Sequence, residues 1–170
     1  MFEEKRVPDR QVRAAQTETT VRVYQACSPA VADAALEKQA FERGGVVQVT
    51  PSFRLAAYRS ENGRKPGHER ILAIDLTREG FEWALAHGHI EWEAERDLDH
   101  TALNFQALRI GLDDAPVDEW TTAVTDVTPV MRDIAGLLAT DQLHLAVKLV
   151  PHEPPYPLGK DLAEAVDATP

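Results

Sequence analysis

Cysteine is almost absent. One residue, Cys27, stands alone in 170, which excludes an internal disulfide framework and suits a reducing compartment. Long apolar runs are missing as well. None approaches the roughly 18 to 20 residues of a membrane span, and the N-terminus, MFEEKRVPDRQVR, is charged from its third residue and has no apolar stretch of the secretory kind. These absences lead us to expect a cytoplasmic protein without membrane contact.

Basic charge is scarce in one half of the chain. Residues 1–80 hold 13 basic and 11 acidic side chains, whereas residues 81–170 hold five and 17. The formal charge of −10 argues against extended contact with nucleic acid, whose phosphates demand Lys and Arg. A basic island interrupts the acidity: Arg54, Arg59, Arg64, Lys65 and Arg70 face only Glu61 and Glu69. Such an island suits a small anionic, nucleotide-like ligand better than a long polyanion. Scattered surface arginines with their apolar stems laid on the protein are the alternative. Hydrophobic residues make up 44% and charged residues 27%, which together with the length indicates one domain with a true core.

Residues 1–19 read as a polar N-terminal arm, 20–158 as the domain and 159–170 as a loose, flexible tail. VRVYQ (21–25) is strand-like. A helix follows, with Ser28 as N-cap, Pro29 at the first position, an apolar stripe of Val31, Ala34, Ala35 and Leu36, and Gly44-Gly45 as its stop. VVQVT (46–50) reads as a strand, PSFRLAAYRS as a short helix and ENGRKPG as a loop. ERILAIDL (69–76) is the clearest strand, and the helix after it is capped by Thr77. Residues 88–97 and 104–112 read as strands, and from Ala115 onward the signals are helical, with Thr128 and Thr140 as caps. PPYPL must be extended and straps the core, in which Trp83, Trp92 and Trp120 are expected. The order predicts an α+β domain with a mixed or split sheet, helices packed on it and a helical C-terminal third.

In GHIEWEAERD (88–97), period-two alternation puts Ile90, Trp92 and Ala94 on one face and His89, Glu91, Glu93 and Glu95 on the other. The acidic face is a solvated strand edge, a catalytic carboxylate in acidic company, or, with His87, a metal site of the pattern H-x-H-x-E. A helix running into His87 would take that residue out of strand register. Tyr24 and Gln25 end a strand just before a helix, where one of them must point inward. Ser52, Arg54, Tyr58, Arg59 and Lys65 offer a hydroxyl, an aromatic and cations to a phosphate or ribose; a buried stripe with solvated edges is the other reading. Cys27 sits before a helix N-terminus, which lowers a thiol pKa where it acts; a small buried filler is the alternative.

The stretches VYQACSPAVADAAL, PSFRLAAYRS, KPGHERILAIDLTREGFEWALAH, EWEAERDL, LRIGL and PPYPL resemble, in order, domain-of-unknown-function family 4291, from about Arg10 to Leu158. The chain departs from that pattern at Gln48 and Thr50, where members tend to carry an aromatic and a Lys, at Cys27, where they carry an aromatic, and in a shorter segment before the acidic strand. A looser resemblance is to ADP-ribosyltransferases, which take NAD contacts from a first strand, from the element after the second strand and from a late strand bearing a glutamate. That resemblance implies Glu95 as catalytic carboxylate, Gln25 as ribose contact, Tyr58 as stacking aromatic, and Arg54, Arg59 and Lys65 as pyrophosphate partners, with Tyr24 and Ser52 nearby. NAD would be a substrate, no cofactor or metal being required. A non-catalytic nucleotide- or partner-binding module, and a metal-dependent hydrolase built on His87, His89 and Glu91, are the other classes.

Overall fold

The computed structural model describes residues 7–42 and 48–170; the start of the arm, the Gly44-Gly45 stop and the first two residues of the expected second strand lie outside them. The described residues form an α+β domain with two three-stranded sheets. In the first, β3 (Arg70–Thr77) lies between β1 (Thr20–Cys27) and β6 (Thr121–Asp126). In the second, β5 (Ala102–Gly111) lies between β2 (Gln48–Val49) and β4 (His89–Arg96). Every strand pair is antiparallel, so the sheet is split, as expected, and not mixed.

The central strand β3 explains the two-sided core. Leu72, Ile74 and Leu76 face one cluster with Val21, Val23, Phe81 and Leu85, while Ile71 and Ala73 face a second with Tyr24, Phe53, Met131 and Ile134. A strand covered on both faces needs consecutive apolar residues, which RILAIDL supplies. β6 is a correction, because TTAVTD lies in a region expected to be helical. It buries only Val124 among its six residues, so its assignment comes from pairing with β3, a long-range contact that local pattern does not carry.

Helix α1 (Pro29–Lys38) has the expected Ser28 cap and Pro29, but it ends early at Gln39, whose φ is 55°. The Gln39 side chain stabilises that turn: its Nε2 donates to the Leu36 carbonyl at 2.8 Å and its Oε1 accepts from Val124 N–H at 3.0 Å. The helix buries Ala32 and Ala35 and packs Leu36 against the core but leaves Val31 and Ala34 exposed, so half of the expected stripe faces inward. α2 (Phe53–Arg59) is capped by Ser52, and α3 (Arg78–His87) by Thr77, whose hydroxyl accepts from Gly80 N–H at 3.1 Å. After α4 (Val117–Trp120), α5 (Thr128–Ala139) and α6 (Leu143–Leu149) pack together. Neither Thr128 nor Thr140 is the N-cap of these helices, because Val127 and Gln142 hold those positions. Thr128 is buried, and its hydroxyl accepts from Ile71 N–H on β3 at 2.9 Å; Thr140 donates to carbonyls at the end of α5.

Both ends of the described chain pack onto the domain. Asp9 O accepts from Gln106 N–H on β5 at 2.7 Å, and Val12 and Ala14 are buried. The strap from 151 to 158 runs beside this segment, with Tyr156 N–H donating to Val12 O at 2.8 Å and the Tyr156 ring set edge-on against Phe81 at 5.1 Å. Where a loose tail is expected, α7 (Lys160–Ala165) forms, Val166 is buried, and Trp92 Nε1 donates to Val166 O at 2.8 Å. Trp92 and Trp120 pack against the core as expected. Trp83 does not: it is 41% exposed and lies on Trp120 and His87. No helix among the described residues is long and apolar enough to cross a membrane.

Candidate functional site

Among the described residues the two sheets meet at one backbone pair, Tyr24 with Thr50, whose N–H groups donate to each other's carbonyls at 2.8 and 3.1 Å. At this junction the chain leaves β2 and turns into α2. Thr50 Oγ1 donates to Leu108 O at 2.7 Å and accepts from Ser52 N–H at 3.1 Å, which fixes the turn. Ser52 is therefore held where its hydroxyl does two things. It accepts from Leu55 N–H at 3.0 Å, capping the helix, and it donates to Glu95, lying 2.9 and 2.8 Å from the two carboxylate oxygens.

Glu95 reaches Ser52 from β4, the other edge strand of the sheet that contains β2. The β4–β5 register shifts between Ala94 and Arg96, leaving Glu95 at an irregularity of the kind that re-aims a side chain. The alternation read from the sequence is kept on either side. Glu93 binds Arg59 at 3.1 Å, Arg109 lies 3.6 Å from Glu93 and bonds Glu91, while Trp92 faces the core.

Two clefts open on this face. The first, of about 260 Å³, is lined by Ser52, Arg54, Glu95, Arg13, His152 and Glu153 among others. Glu153 was not expected. Its carboxylate accepts from Phe53 N–H at 3.0 Å. Burial pushes the Glu153 carboxyl up to about 8, with the charge of Glu95 adding to the rise and the Phe53 N–H and Arg54 opposing it. Burial thus holds the Glu153 carboxyl neutral near pH 7 in the same cleft as Glu95. Its one signal in the sequence is position: it is the sole acidic residue in an otherwise proline-rich strap, PHEPPYPL.

The second cleft, of about 350 Å³, is lined by Tyr24, Gln25, Arg59, Lys65, His68 and Arg109, with no carboxylate in its wall among the described residues. Arg59 and Arg109 are steadied from below by Glu93 and Glu91. Lys65 and His68 come from the loop after α2, which is tied down by Gly63 N–H and Lys65 N–H donating to Ser60 O at 3.0 and 3.1 Å. Arg109 and His68 were also missed. Arg109 is readable as the lone cation of a strand that pairs with an acidic one, since Glu91 is its register partner.

The expected site residues thus divide. Ser52, Arg54 and Glu95 share the first cleft; Tyr24, Gln25, Arg59 and Lys65 share the second. Tyr58 lines neither: the Arg96 guanidinium stacks 3.9 Å from its ring centroid, and His100 meets it edge-on. Cys27 is buried, and burial pushes its thiol up to about 11, so no helix terminus activates it. His87 ends α3, stacked on Trp83 with its Nδ1 3.1 Å from Trp83 O, while His89 Nε2 pairs with Glu91 at 3.1 Å. Among the described residues no three His, Cys, Asp or Glu side chains come together in a way that could hold a metal ion.

No curated protein and no solved structure matches this chain. A family model does, over residues 11–91 and 86–156, nearly the whole sequence. The chain belongs to that family, described as a domain of unknown function (DUF4291).

Proposed function

We propose that this protein cleaves the bond between nicotinamide and ribose in NAD, passing ADP-ribose to water or to another acceptor. The observation that carries the reading is the Ser52–Glu95 pair at the wall of the first cleft. Departure of nicotinamide leaves a sugar with oxocarbenium character, and a fixed carboxylate beside it stabilises that positive charge. Fixation is what Ser52 contributes: its hydroxyl proton is shared between the two oxygens of Glu95 while its own position is set by Leu55 N–H.

The second cleft fits the rest of such a substrate. Glu93, which steadies Arg59 and Arg109, lies two residues from Glu95, about 7 Å along the strand. A ligand of dinucleotide length therefore reaches from Glu95 to the cations, with Arg54 at its reacting end and Arg59, Lys65, His68 and Arg109 at its diphosphate. The chain order of a first-strand Gln25, Ser52 after the second strand and a late-strand Glu95 supports the same reading, through its resemblance to ADP-ribosyltransferases.

Incubation of purified protein with NAD, following free nicotinamide by chromatography, tests this. Wild type releases nicotinamide, Glu95→Gln does not, and Ser52→Ala is slower by about 10- to 100-fold, the loss of one positioned catalytic hydrogen bond. Equal release from wild type and Glu95→Gln would overturn it. A binding module without chemistry is the second reading, favoured by the cations that line the second cleft, Arg59, Lys65 and Arg109. Its signature is a saturable rise in melting temperature with NAD or ADP-ribose and no free nicotinamide.

A further inference from the structure

We infer that Glu153 is the general base of the reaction, taking the proton of the acceptor hydroxyl or water as its oxygen attacks the ribose. The inference rests on the NAD-cleavage reading and adds a second catalytic group to it. Glu95 and Glu153 line one cavity of about 260 Å³, so a sugar bound there has a carboxyl group from each. They arrive from unrelated elements, β4 and the strap after α6, and they are held differently. The one Ser52 hydroxyl proton is shared between both oxygens of Glu95 and Arg96 N–H adds a bond to Oε1, whereas Glu153 is anchored by Phe53 N–H on Oε2. A carboxylate whose oxygens are both engaged is suited to stabilising charge, and one with an oxygen to spare is suited to accepting a proton.

The step balances. The acceptor oxygen forms a bond to the ribose carbon as the carbon–nitrogen bond to nicotinamide breaks. The electron pair of that bond stays on the nicotinamide nitrogen, which leaves neutral and needs no proton. The acceptor's proton passes to Glu153 and from there to solvent. The groups facing Glu153 are Glu95 from β4, Arg54 from α2, Arg13 from the N-terminal segment, the Tyr24 phenol from β1 and the neighbouring His152. Burial and the Glu95 charge together make this carboxylate a stronger base than an ordinary one, and it becomes available to take a proton as the pH rises toward 8 and the group ionises.

The experiment measures steady-state nicotinamide release from pH 6 to 9 for wild type, Glu153→Gln, Glu153→Asp and Glu95→Gln, with and without azide. Glu153→Gln keeps an acceptor for Phe53 N–H, so its melting temperature at pH 5, where little of the contribution of the folded-state proton has been lost, should match wild type. Its kcat falls about 10²-fold or more with little change in KM for NAD. The rise of kcat with pH disappears, while Glu153→Asp retains that rise. Azide, an anionic nucleophile with no proton to lose, restores turnover to Glu153→Gln and not to Glu95→Gln. Wild-type kcat and pH profile in Glu153→Gln would overturn the inference and leave NAD cleavage standing. Absence of nicotinamide release from wild type at every pH would remove both.

Discussion

The environment of Glu153 makes a stability prediction that does not depend on any activity. Its carboxyl titrates near 8 in the folded protein against an ordinary 4.5. Below pH 4.5 the group is protonated in both the folded and unfolded states. Between 4.5 and 8 the folded state holds a proton that the unfolded state has lost, so stability falls as pH rises through this window. Above 8 both states are ionised, and the contribution is fully gone. Each pH unit crossed costs about 1.4 kcal/mol. The group is partly open to its cleft, which limits the total to a few kcal/mol, still a large share of a small domain's stability. Glu153→Gln removes the titration while keeping the size and the bond to Phe53 N–H. Urea unfolding of both proteins at pH 5, 6, 7, 8 and 9 therefore gives curves that separate steadily. The variant gains on wild type by about 2 to 4 kcal/mol between pH 5 and 9. Glu95→Gln, which removes the neighbouring charge, makes the wild-type fall shallower. Parallel curves for wild type and Glu153→Gln would refute the reasoning, because they would mean that Glu153 ionises as a solvated carboxylate does.

Three other substitutions test the frame around the site. Gly80→Ala improves local helix propensity by about 1 kcal/mol, yet its Cβ would stand 2.3 Å from Trp120 Cγ. Overpacking outweighs the gain, and we expect a net loss of about 1 to 2 kcal/mol in denaturant unfolding. Trp92→Phe deletes the 2.8 Å bond to Val166 O and costs about 1 kcal/mol; limited proteolysis then cuts first near α7, and an unchanged digestion pattern would count against the tether. Thr128→Val keeps shape but strands Ile71 N–H, buried on β3, without its 2.9 Å acceptor. We expect a loss of about 1 to 3 kcal/mol, with faster amide exchange at Ile71.

The legible parts of the site were those with local causes. Alternation in HIEWEAER predicts which side chains share a face, because a strand's pleat has period two whatever surrounds it. Ser28 and Thr77 cap their helices because a hydroxyl before a helical run satisfies backbone N–H groups within three residues. Thr128 misleads for the same reason in reverse: a cap-like residue followed by proline looks the same in sequence whether its hydroxyl bonds its own helix or Ile71 across the sheet. Tyr58 has the position of a ligand-stacking aromatic, but Arg96, 38 residues later, takes its face.

By itself the sequence determined the α+β class, most strands and helices, the family, the acidic face bearing Glu95 and the basic island, since each follows from neighbours along the chain. Only the tertiary structure decided that β6 is a strand, that Ser52 meets Glu95, and that Glu153 joins them while Tyr58 does not. It also parted Gln25, Arg59 and Lys65 from Glu95 into a second cleft. These are contacts between residues 40 to 100 positions apart. Their partners are chosen by how two sheets meet at Tyr24 and Thr50 and where a proline-rich strap crosses them, and no local periodicity encodes that meeting.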